Sequence, residues 1–208
     1  IKKDKKNFDV IFLSANNNYK KLIEQAKEFK VKNVLVKNKI FFKRIKNSLQ
    51  NQKTRVYSGD VSIKHIISRK IDFTMSAIVG LAGLQPTIDA IKISKVVAIA
   101  NKEAIICGWN ILSELVKKHK TKFIPVDSEH FSIWSLLKSE SVNNVEEIII
   151  TASGGPFLNL KLKKLKNVKS KDAVKHPNWR MGNKISVDSA TLMNKVFEVI
   201  EAQRIFSI

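Results

Sequence analysis

Two carboxylates stand one residue apart in the stretch FIPVDSEHFSIW, at Asp127 and Glu129. They follow a short apolar run that ends in a proline, a pattern typical of a buried strand that gives way to a loop. In an extended segment, side chains two residues apart point the same way, so the two carboxylates share a face. Neighbouring carboxylates repel each other unless a cation or a proton lies between them. The pair therefore favours a hard divalent ion, Mg²⁺ or Mn²⁺, and the alternative is a simple helix cap that involves Ser128 and Glu129.

A second polar cluster lies in a predicted helix near the end of the chain. Asn194 and Glu198 are four residues apart, so one lies above the other on the helix, with Lys195 alongside. Ser189, near the predicted start of this helix, could offer its hydroxyl and backbone N–H groups to a phosphate. These residue types indicate a pocket for an anion and a cation. The alternative is an ordinary N-cap followed by an exposed Lys–Glu pair.

Two loops add candidate ligand contacts. In TASGGPF the glycines after Ser153 would let the backbone and the serine hydroxyl approach a ligand closely, although the segment alone predicts only a turn. In HPNWRMG, His176 and Trp179 lie between a proline and a glycine. This composition suits a mobile lid that places an aromatic ring over a substrate, and the alternative for Trp179 is a partner contact or a packed edge.

The elements that must position these residues alternate between short apolar strands and amphipathic helices. Strands are predicted at 8–15, 31–38, 54–59, 95–101 and 121–127, and helices at 16–29, 39–51, 61–70, 84–94 and 104–120. This alternation predicts a Rossmann-like parallel sheet covered by helices. Ligands of such sheets bind at the carboxyl ends of the strands. We therefore expect residues 101–103 and 127–129, which follow two strands, to line one crevice.

The pattern changes after Glu140, where the start of a second α/β domain is predicted. Residues 145–157 are expected to form a strand that breaks at the glycines, and 161–171 to form a turn and a solvated helix. Residues 184–206 are expected to form a strand followed by a helix. The predicted buried stripe of that last helix contains Met193, Val196, Phe197 and Ile200. The predicted domains are 1–125 and 126–208.

The charge and the cysteine content narrow the classes of partner and compartment. The chain has 38 Lys and Arg against 18 Asp and Glu, a net charge of +20 that would fit a nucleic-acid partner. Few of the basic residues are Arg, and the abundance of Lys, Asn and Ile is typical of AT-rich genomes, so we expect no nucleic-acid partner. An anionic ligand remains compatible with the charge.

We expect no membrane partner because no apolar run is long enough to span a bilayer. The single cysteine, Cys107, favours a reducing, cytoplasmic location.

Five segments, in this order, carry a resemblance to a known family: ANKEAI, PVDSEH, SGGPF, HPNWRMG and ISVDSATLMNKVFEVIEA. Together they resemble 1-deoxy-D-xylulose 5-phosphate reductoisomerase from Phe8 to Phe206. The family begins with a strand and a Gly-rich turn and ends with a helical region, so the chain resembles an internal part of such an enzyme. The resemblance implies an NADPH- and metal-dependent conversion of 1-deoxy-D-xylulose 5-phosphate to 2-C-methyl-D-erythritol 4-phosphate, in non-mevalonate isoprenoid biosynthesis. It also implies a homodimer at full length.

The resemblance implies roles for individual residues. It places the divalent ion on Asp127, Glu129 and Glu198, and it makes these three residues and Lys102 the catalytic set. The residues that it places at the sugar phosphate are Lys102, Ser128, Glu129, Ser153, His176, Trp179, Ser189, Asn194, Lys195 and Glu198. Those that it places at NADPH are Asn101, Glu103 and Gly182, and the next cofactor position, which usually holds a glycine followed by Lys and Asn, falls on Asn16, Asn17 and Asn18.

Two other functions would account for part of the sequence. A basic nucleic-acid-binding α/β protein would account for the charge but gives no reason for the acidic pair. A different metal-dependent NADP oxidoreductase, or a sugar-phosphate isomerase, would keep both the crevice and the cation. Substrate choice among xylulose phosphates would separate this last class from the reductoisomerase.

Overall fold

The computed structural model describes residues 1–140 and 142–207 of the 208. The chain divides into two compact units, Ile1–Ser68 and Arg69–Ile208. Each unit contains a three-stranded parallel sheet, and helices connect the strands. The α/β class and the parallel sheets predicted from the apolar runs are therefore confirmed. The predicted boundary at residue 125 concerns functional domains and stays a prediction.

The first unit alternates strands and helices after a short 3-10 helix at Lys2–Asn7. Its strands are β1 Phe12–Ala15, β2 Asn33–Val36 and β3 Arg55–Ser58, and its helices are α1 Tyr19–Glu28, α2 Phe42–Ser48 and α3 Ile63–Ile66. The strand order is β1-β2-β3, with Phe12 opposite Asn33 and Asn33 opposite Arg55. Asn18 caps α1, because its side chain accepts a hydrogen bond from the Lys21 N–H at 3.2 Å.

The core of the first unit is apolar and small. Leu22 and Ala26 are the buried residues of α1, and Ile45 is the buried residue of α2. They pack with Val34 and Val36 of the central strand. Tyr19 stacks on Phe41 with ring centroids 4.4 Å apart. The sheet of this unit is thus fixed by aliphatic packing from α1 and α2.

The second unit begins with a longer parallel sheet. Its strands are β4 Ile71–Ser76, β5 Ser94–Ile99 and β6 Lys122–Pro125, and the connecting helices are α4 Leu84–Ile93 and α5 Lys102–His119. The central strand β5 pairs with β4 on one side and with β6 on the other. Val97 and Ile99 of β5 pack with Ile91 of α4 and with Ile105 and Leu112 of α5. This core holds the starts of α5 and α6 close to the carboxyl edge of the sheet.

Helices and loops make up the described residues after β6. The helices are α6 Ser128–Leu136, α7 Leu162–Leu165, α8 Ser170–Ala173, α9 Asn183–Ala190 and α10 Met193–Phe206. α10 packs against α5, α6 and α9. No helix in the described ranges is long and apolar enough to cross a membrane.

Three local predictions after residue 140 are wrong. Residues 145–155 have no regular secondary structure and pair with no strand among the described residues, and the predicted strand at the start of 184–206 is helix α9. The face of α10 that the structure buries carries Glu198, Glu201 and Ala202, whereas Met193 and Val196 are 43% and 49% exposed. Phe197 and Ile200 of the predicted stripe are half-buried, so apolar periodicity identified the buried face only in part. It cannot register that the carboxylates of α10 have buried partners.

Candidate functional site

The turn after β5 and the turn after β6 place the central polar residues of the site. Asn101 caps α5: its side-chain oxygen accepts from the Ala104 N–H, and its amide nitrogen donates to the carbonyls of Gly80, at 2.9 Å, and Ile78. Lys102 is therefore the first residue of α5. Asp127 caps α6 in the same way, since its Oδ1 accepts from the Glu129 N–H at 3.4 Å. The cap and the acidic pair, considered as alternatives from the sequence, coexist here.

Lys102 joins the two predicted clusters. Its Nζ lies 2.7 Å from Asp127 Oδ2 and 2.8 Å from Glu198 Oε1, and it donates to Asn194 Oδ1 at 3.0 Å. The expectation that the residues after β5 and β6 line one crevice is thus confirmed for Lys102 and Asp127. The same ammonium also reaches the first turns of α10, which are about a hundred positions further along the chain.

Three carboxylates converge around this lysine. One oxygen each of Asp127, Glu129 and Glu198 can be chosen so that all three lie within 4.8 Å of one another. Glu198 is 1% exposed; its Oε1 accepts from Asn194 Nδ2 at 2.5 Å, and its Oε2 makes no hydrogen bond although Lys195 Nζ forms an ion pair with it. A buried carboxylate next to two further carboxylates matches the oxygen donor set of a hard divalent ion. The residues present therefore fit Mg²⁺ or Mn²⁺.

The charges of the cluster are strongly coupled. Burial would raise the pKa of Asp127, but hydrogen bonds with His130 and Lys102 outweigh it and hold that pKa well below its ordinary value. Burial would lower the pKa of Lys102, yet its contacts with Asp127 and Glu198 leave the pKa raised. Both groups are therefore ionised at neutral pH, and the ammonium offsets part of the negative charge that gathers at the site.

A cavity of about 510 Å³ opens from this cluster. All of the substrate and metal residues expected from the sequence line it. They are Lys102, Asp127, Ser128, Glu129, Ser153, His176, Trp179, Ser189, Asn194, Lys195 and Glu198. Met181, Ile185 and Leu192 add an apolar wall that the sequence did not indicate. The cavity thus combines carboxylates, ammonium groups and hydroxyls with an apolar side.

His176 fixes the loop that carries Trp179. The His176 Nδ1 accepts from the backbone N–H groups of Asn178 and Trp179, at 3.2 and 3.1 Å. Because Nδ1 accepts, Nε2 carries the proton of the neutral ring and donates to Ser153 Oγ at 3.1 Å. Trp179 itself is 64% exposed at the mouth of the cavity. The hydrogen bonds to His176 and the position of Trp179 at the cavity mouth agree with the lid predicted from the sequence.

Ser189 occupies a different helix position from the one expected. It lies in the last turn of α9, not at the start of α10, whose first residue is Met193 after Leu192 in a left-handed conformation. Backbone N–H groups at the cavity can therefore come from the first turn of α10, where Asn194 and Lys195 lie. Gly155 has a φ of +67°, and a Cβ there would lie 2.7 Å from the Ser189 carbonyl oxygen, so this loop and α9 meet only with glycine.

The residues expected at the cofactor are distributed differently. Asn101, Glu103 and Gly182 are absent from the cavity lining within the described ranges. The Asn101 side chain is fully engaged with the 78–80 turn, and Glu103 pairs with Lys184 at 3.1 Å. Asn16, Asn17 and Asn18 lie in the first unit, exposed after β1, where Asn38 donates to Asn17 at 2.9 Å. Each set follows the carboxyl end of a parallel strand or begins a helix, as nucleotide-contacting residues do.

Sequence reasoning left two buried residues of the site without a role. His130 and Glu201 are 0% and 1% exposed and lie directly behind Asp127 and Glu198. Each follows a metal candidate by three positions, which places it on the same helical face, and this spacing is the signal that could have identified them. Burial raises the pKa of Glu201 to about 7.

The fold and the site define a class of α/β protein with parallel sheets. In the second unit, the turns after β5 and β6 and helix α10 line an acidic cavity that also contains lysines. The family model described as 1-deoxy-D-xylulose 5-phosphate reductoisomerase matches residues 1–108, and the model of the C-terminal domain of the same enzyme matches residues 123–206. The chain belongs to the 1-deoxy-D-xylulose 5-phosphate reductoisomerase family.

Curated relatives and solved structures agree with this family. A 1-deoxy-D-xylulose 5-phosphate reductoisomerase of Pelagibacter ubique is 57% identical over the whole chain and over 54% of its own length, and one of Caldanaerobacter subterraneus is 44% identical over 98% and 53%. A solved reductoisomerase in complex with NADPH, fosmidomycin and magnesium is 32% identical with a TM-score of 0.88, and the one from Zymomonas mobilis in complex with NADPH is 36% identical with a TM-score of 0.89. Both cover all of this chain and 54% of the solved chain. The chain spans about half the length of the relatives that it matches.

Proposed function

We propose that the protein to which this chain belongs converts 1-deoxy-D-xylulose 5-phosphate and NADPH to 2-C-methyl-D-erythritol 4-phosphate and NADP⁺, with a divalent metal ion. The observation that carries the proposal is the convergence of Asp127, Glu129 and Glu198 in one cavity with Lys102 and Lys195. One solved reductoisomerase described above is a complex with NADPH, fosmidomycin and magnesium, and the one from Zymomonas mobilis is a complex with NADPH; both support the same chemistry here.

The three carboxylates would hold the metal ion, which when bound acts as a Lewis acid on neighbouring oxygens of the substrate. Lys102 adds a positive charge on the side of Asp127 and Glu198, where it can stabilise negative charge that develops on the substrate. Ser128 donates to Glu129 at 2.6 Å, which orients that carboxylate and leaves the hydroxyl oxygen free to accept from a substrate hydroxyl.

Phosphate recognition is assigned to two serine hydroxyls and to the first turn of α10, which borders the carboxylate cluster. Ser153 and Ser189 offer hydroxyl groups, and Asn194 and Lys195 lie in the first turn of α10, where helix N–H groups favour an anion. Contacts with a phosphate remote from the reacting carbons hold the substrate in place and so lower the barrier by positioning. Closure of Trp179 over the cavity would exclude water from the reacting centre.

Cofactor contacts are assigned to Asn101, Glu103 and Gly182 in the second unit and to Asn16, Asn17 and Asn18 in the first. Asn101 holds the turn after β4 in place, and Gly182 precedes α9 with open space where a Cβ would be. A cytoplasmic location and a homodimer at full length complete the proposal. The dimer rests on the family resemblance, and the location on the single cysteine.

The test is the loss of NADPH absorbance when 1-deoxy-D-xylulose 5-phosphate is added to the protein encoded by the full open reading frame that contains this chain. We expect oxidation in the presence of Mg²⁺ or Mn²⁺ and none after treatment with a chelator. Xylulose 5-phosphate, which carries a 1-hydroxyl group, serves as the matched substrate control. Oxidation with the control alone would assign a different metal-dependent oxidoreductase, and a folded protein inactive with both would contradict the proposal.

A further inference from the structure

A buried imidazole and a buried carboxylate lie behind the carboxylates of the cavity. His130 belongs to α6 and Glu201 to α10, and neither residue lines the cavity in the part of the chain that the structure describes. The Phe206 ring stacks on the imidazole, with centroids 6.5 Å apart. Phe206 thus covers one face of the imidazole, and His130 is 0% exposed.

The imidazole contacts both metal-ligand candidates that lie near it. Its Nε2 is 2.8 Å from the backbone carbonyl of Glu198. A carbonyl only accepts hydrogen bonds, so Nε2 carries a proton and donates it. Its Nδ1 is 3.4 Å from Asp127 Oδ1. One ring therefore holds the side chain of Asp127 and the backbone of Glu198, which belong to different helices.

Glu201 determines what the other ring nitrogen can do. Its Oε2 lies 3.8 Å from His130 Nδ1 and has no hydrogen-bond partner at conventional geometry. With Nε2 protonated, Nδ1 faces the carboxylate oxygens of Asp127 and Glu201, at 3.4 and 3.8 Å. A carboxylate there keeps the imidazole oriented toward Asp127, as carboxylate–histidine pairs do behind metal ligands.

We propose that Glu201 is a positioning residue that acts through His130: together they hold Asp127 and the α10 backbone at Glu198 so that the carboxylates converge on a divalent ion. The inference rests on the proposed metal site and names residues behind it that bind neither metal nor substrate. Loss of the pair would leave all three carboxylates present but less well aligned. Partners of this kind typically change metal affinity by about 10- to 100-fold.

The experiment is a Mn²⁺ titration of the full-length protein without substrate or cofactor, followed by electron paramagnetic resonance of the free ion. Glu201→Leu removes the carboxylate at similar volume and is expected to raise the Kd for Mn²⁺ about tenfold or more. Glu201→Gln keeps an acceptor oxygen toward the imidazole and is expected to stay within about threefold of the unmodified protein. Ile205→Ala is the matched control, because it weakens the packing of α10 in the apolar core without touching His130.

A double variant tests whether Glu201 acts through the imidazole. If it does, His130→Leu with Glu201→Leu weakens Mn²⁺ binding no more than His130→Leu alone, since the second change removes an interaction already lost. Additive losses would overturn the proposal. Circular dichroism and thermal unfolding establish that each variant is folded, and Glu201→Met replaces Glu201→Leu if the latter does not fold.

The remaining outcomes are also decisive. An unmodified protein that binds no Mn²⁺ contradicts the proposed function itself. A protein that binds Mn²⁺ normally after Glu201→Leu contradicts only the positioning role. Two Mn²⁺ ions per chain, one of which is lost in Glu201→Gln, would make Asp127, His130 and Glu201 a second metal site and would also overturn the positioning role.

Discussion

The two units share one architecture, yet the polar residues at their strand ends have different surroundings. In the first unit, the exposed Asn17 and the half-buried Asn38 follow β1 and β2 and hydrogen bond to each other at 2.9 Å. Lys37 pairs with Asp60 at 3.1 Å while its side chain stays 55% exposed. In the second unit, Lys102 and Asp127 follow β5 and β6, and their side chains are only 19% and 16% exposed.

The difference comes from a helix that the first unit lacks among its described residues. α10 packs on α5 and α6 in the second unit and brings Glu198 and Glu201 over the strand ends. Burial strengthens electrostatic interactions and shifts pKa values, whereas exposed charges of the same type are screened by water. The carboxyl edge of a parallel sheet thus brings polar residues together. A helix that packs over this edge buries them and so strengthens their electrostatic interactions. Four predictions test this comparison.

The largest effect is expected from Glu129→Gln. This change removes a charged candidate ligand from the cavity and should lower kcat/KM by about 100-fold or more, which corresponds to about 3 kcal/mol. Its counterpart in the first unit, Glu28→Gln, alters a half-buried carboxylate that pairs with Lys2 and Lys5 and does not line the cavity, so it should leave the rate within about twofold. NADPH oxidation measures both. Equal rates for the two variants would remove the functional distinction between the units.

The next effect concerns the pH dependence of stability. The pKa of Glu201 is raised from 4.5 to about 7, so the folded state retains its proton where the unfolded chain has lost it. Stability is unaffected by this group below about pH 4.5, falls as the pH rises toward 7, and stays reduced above it. Glu201→Gln should therefore increase the free energy of unfolding at pH 8 by at most about 3 kcal/mol and leave it unchanged near pH 4.

The measurement is urea unfolding at the two pH values in the presence of a chelator. Glu28 supplies the opposite sign in the first unit, because side-chain hydrogen bonds from Lys2 and Lys5 hold its pKa below the ordinary value. A lowered pKa stabilises the folded state at neutral pH, so Glu28→Gln should slightly destabilise at pH 8. A gain for Glu201→Gln that is equal at both pH values would contradict the assigned titration.

A smaller effect is expected when the central lysine is replaced. Lys102→Met leaves Asp127 and Glu198 without their shared cation and should lower the free energy of unfolding by about 2 kcal/mol in metal-free buffer. Lys37→Met removes an exposed lysine that follows β2 and should change it by less than about 0.5 kcal/mol. Denaturant unfolding at pH 7 compares the two. Similar losses in the free energy of unfolding would show that the different burial of the two lysines does not affect stability.

The smallest effect is expected from Asn17→Ala. It removes an exposed hydrogen bond to Asn38 and should alter the free energy of unfolding by less than about 0.5 kcal/mol. The assignment of Asn17 to the cofactor predicts a separate change, a rise in KM for NADPH without an equal fall in kcat. An unchanged KM would confine the cofactor contacts to other residues.

The sequence predicted the first 125 residues better than the last 80. Short apolar runs such as those around Val34 and Val97 specify buried parallel strands locally. Of the six strands in the described residues, five lie in predicted strand segments, and β4 lies where no element was predicted. Asp127, Glu129 and Glu198 were identified from residue type, spacing and family resemblance. What failed was the environment of α10, because its burial depends on α5 and α6, which are distant in sequence.

The same limit explains the residues that sequence reasoning left unassigned. From the sequence alone, His130 would be interpreted as a residue in the first turn of a capped helix. Glu201 would be interpreted as a charged residue on an exposed helix face. Only the packing of α6 against α10 reveals that both are buried and lie on the two candidate ligands. Spacing indicates which residues share a face, but the neighbour of that face is a property of the tertiary structure.

The hydrogen bond from Lys102 to Glu198 spans 96 positions of the chain, and this separation has a consequence for biosynthesis. At a typical synthesis rate of roughly 5 to 20 residues per second, Lys102 emerges about 5 to 20 seconds before its carboxylate partner. During that interval the nascent second unit has its sheet but lacks α10. We expect a ribosome-bound chain that stops before α10 to expose its β6 edge and to be captured by chaperones or cleaved by proteases more readily than one that includes it.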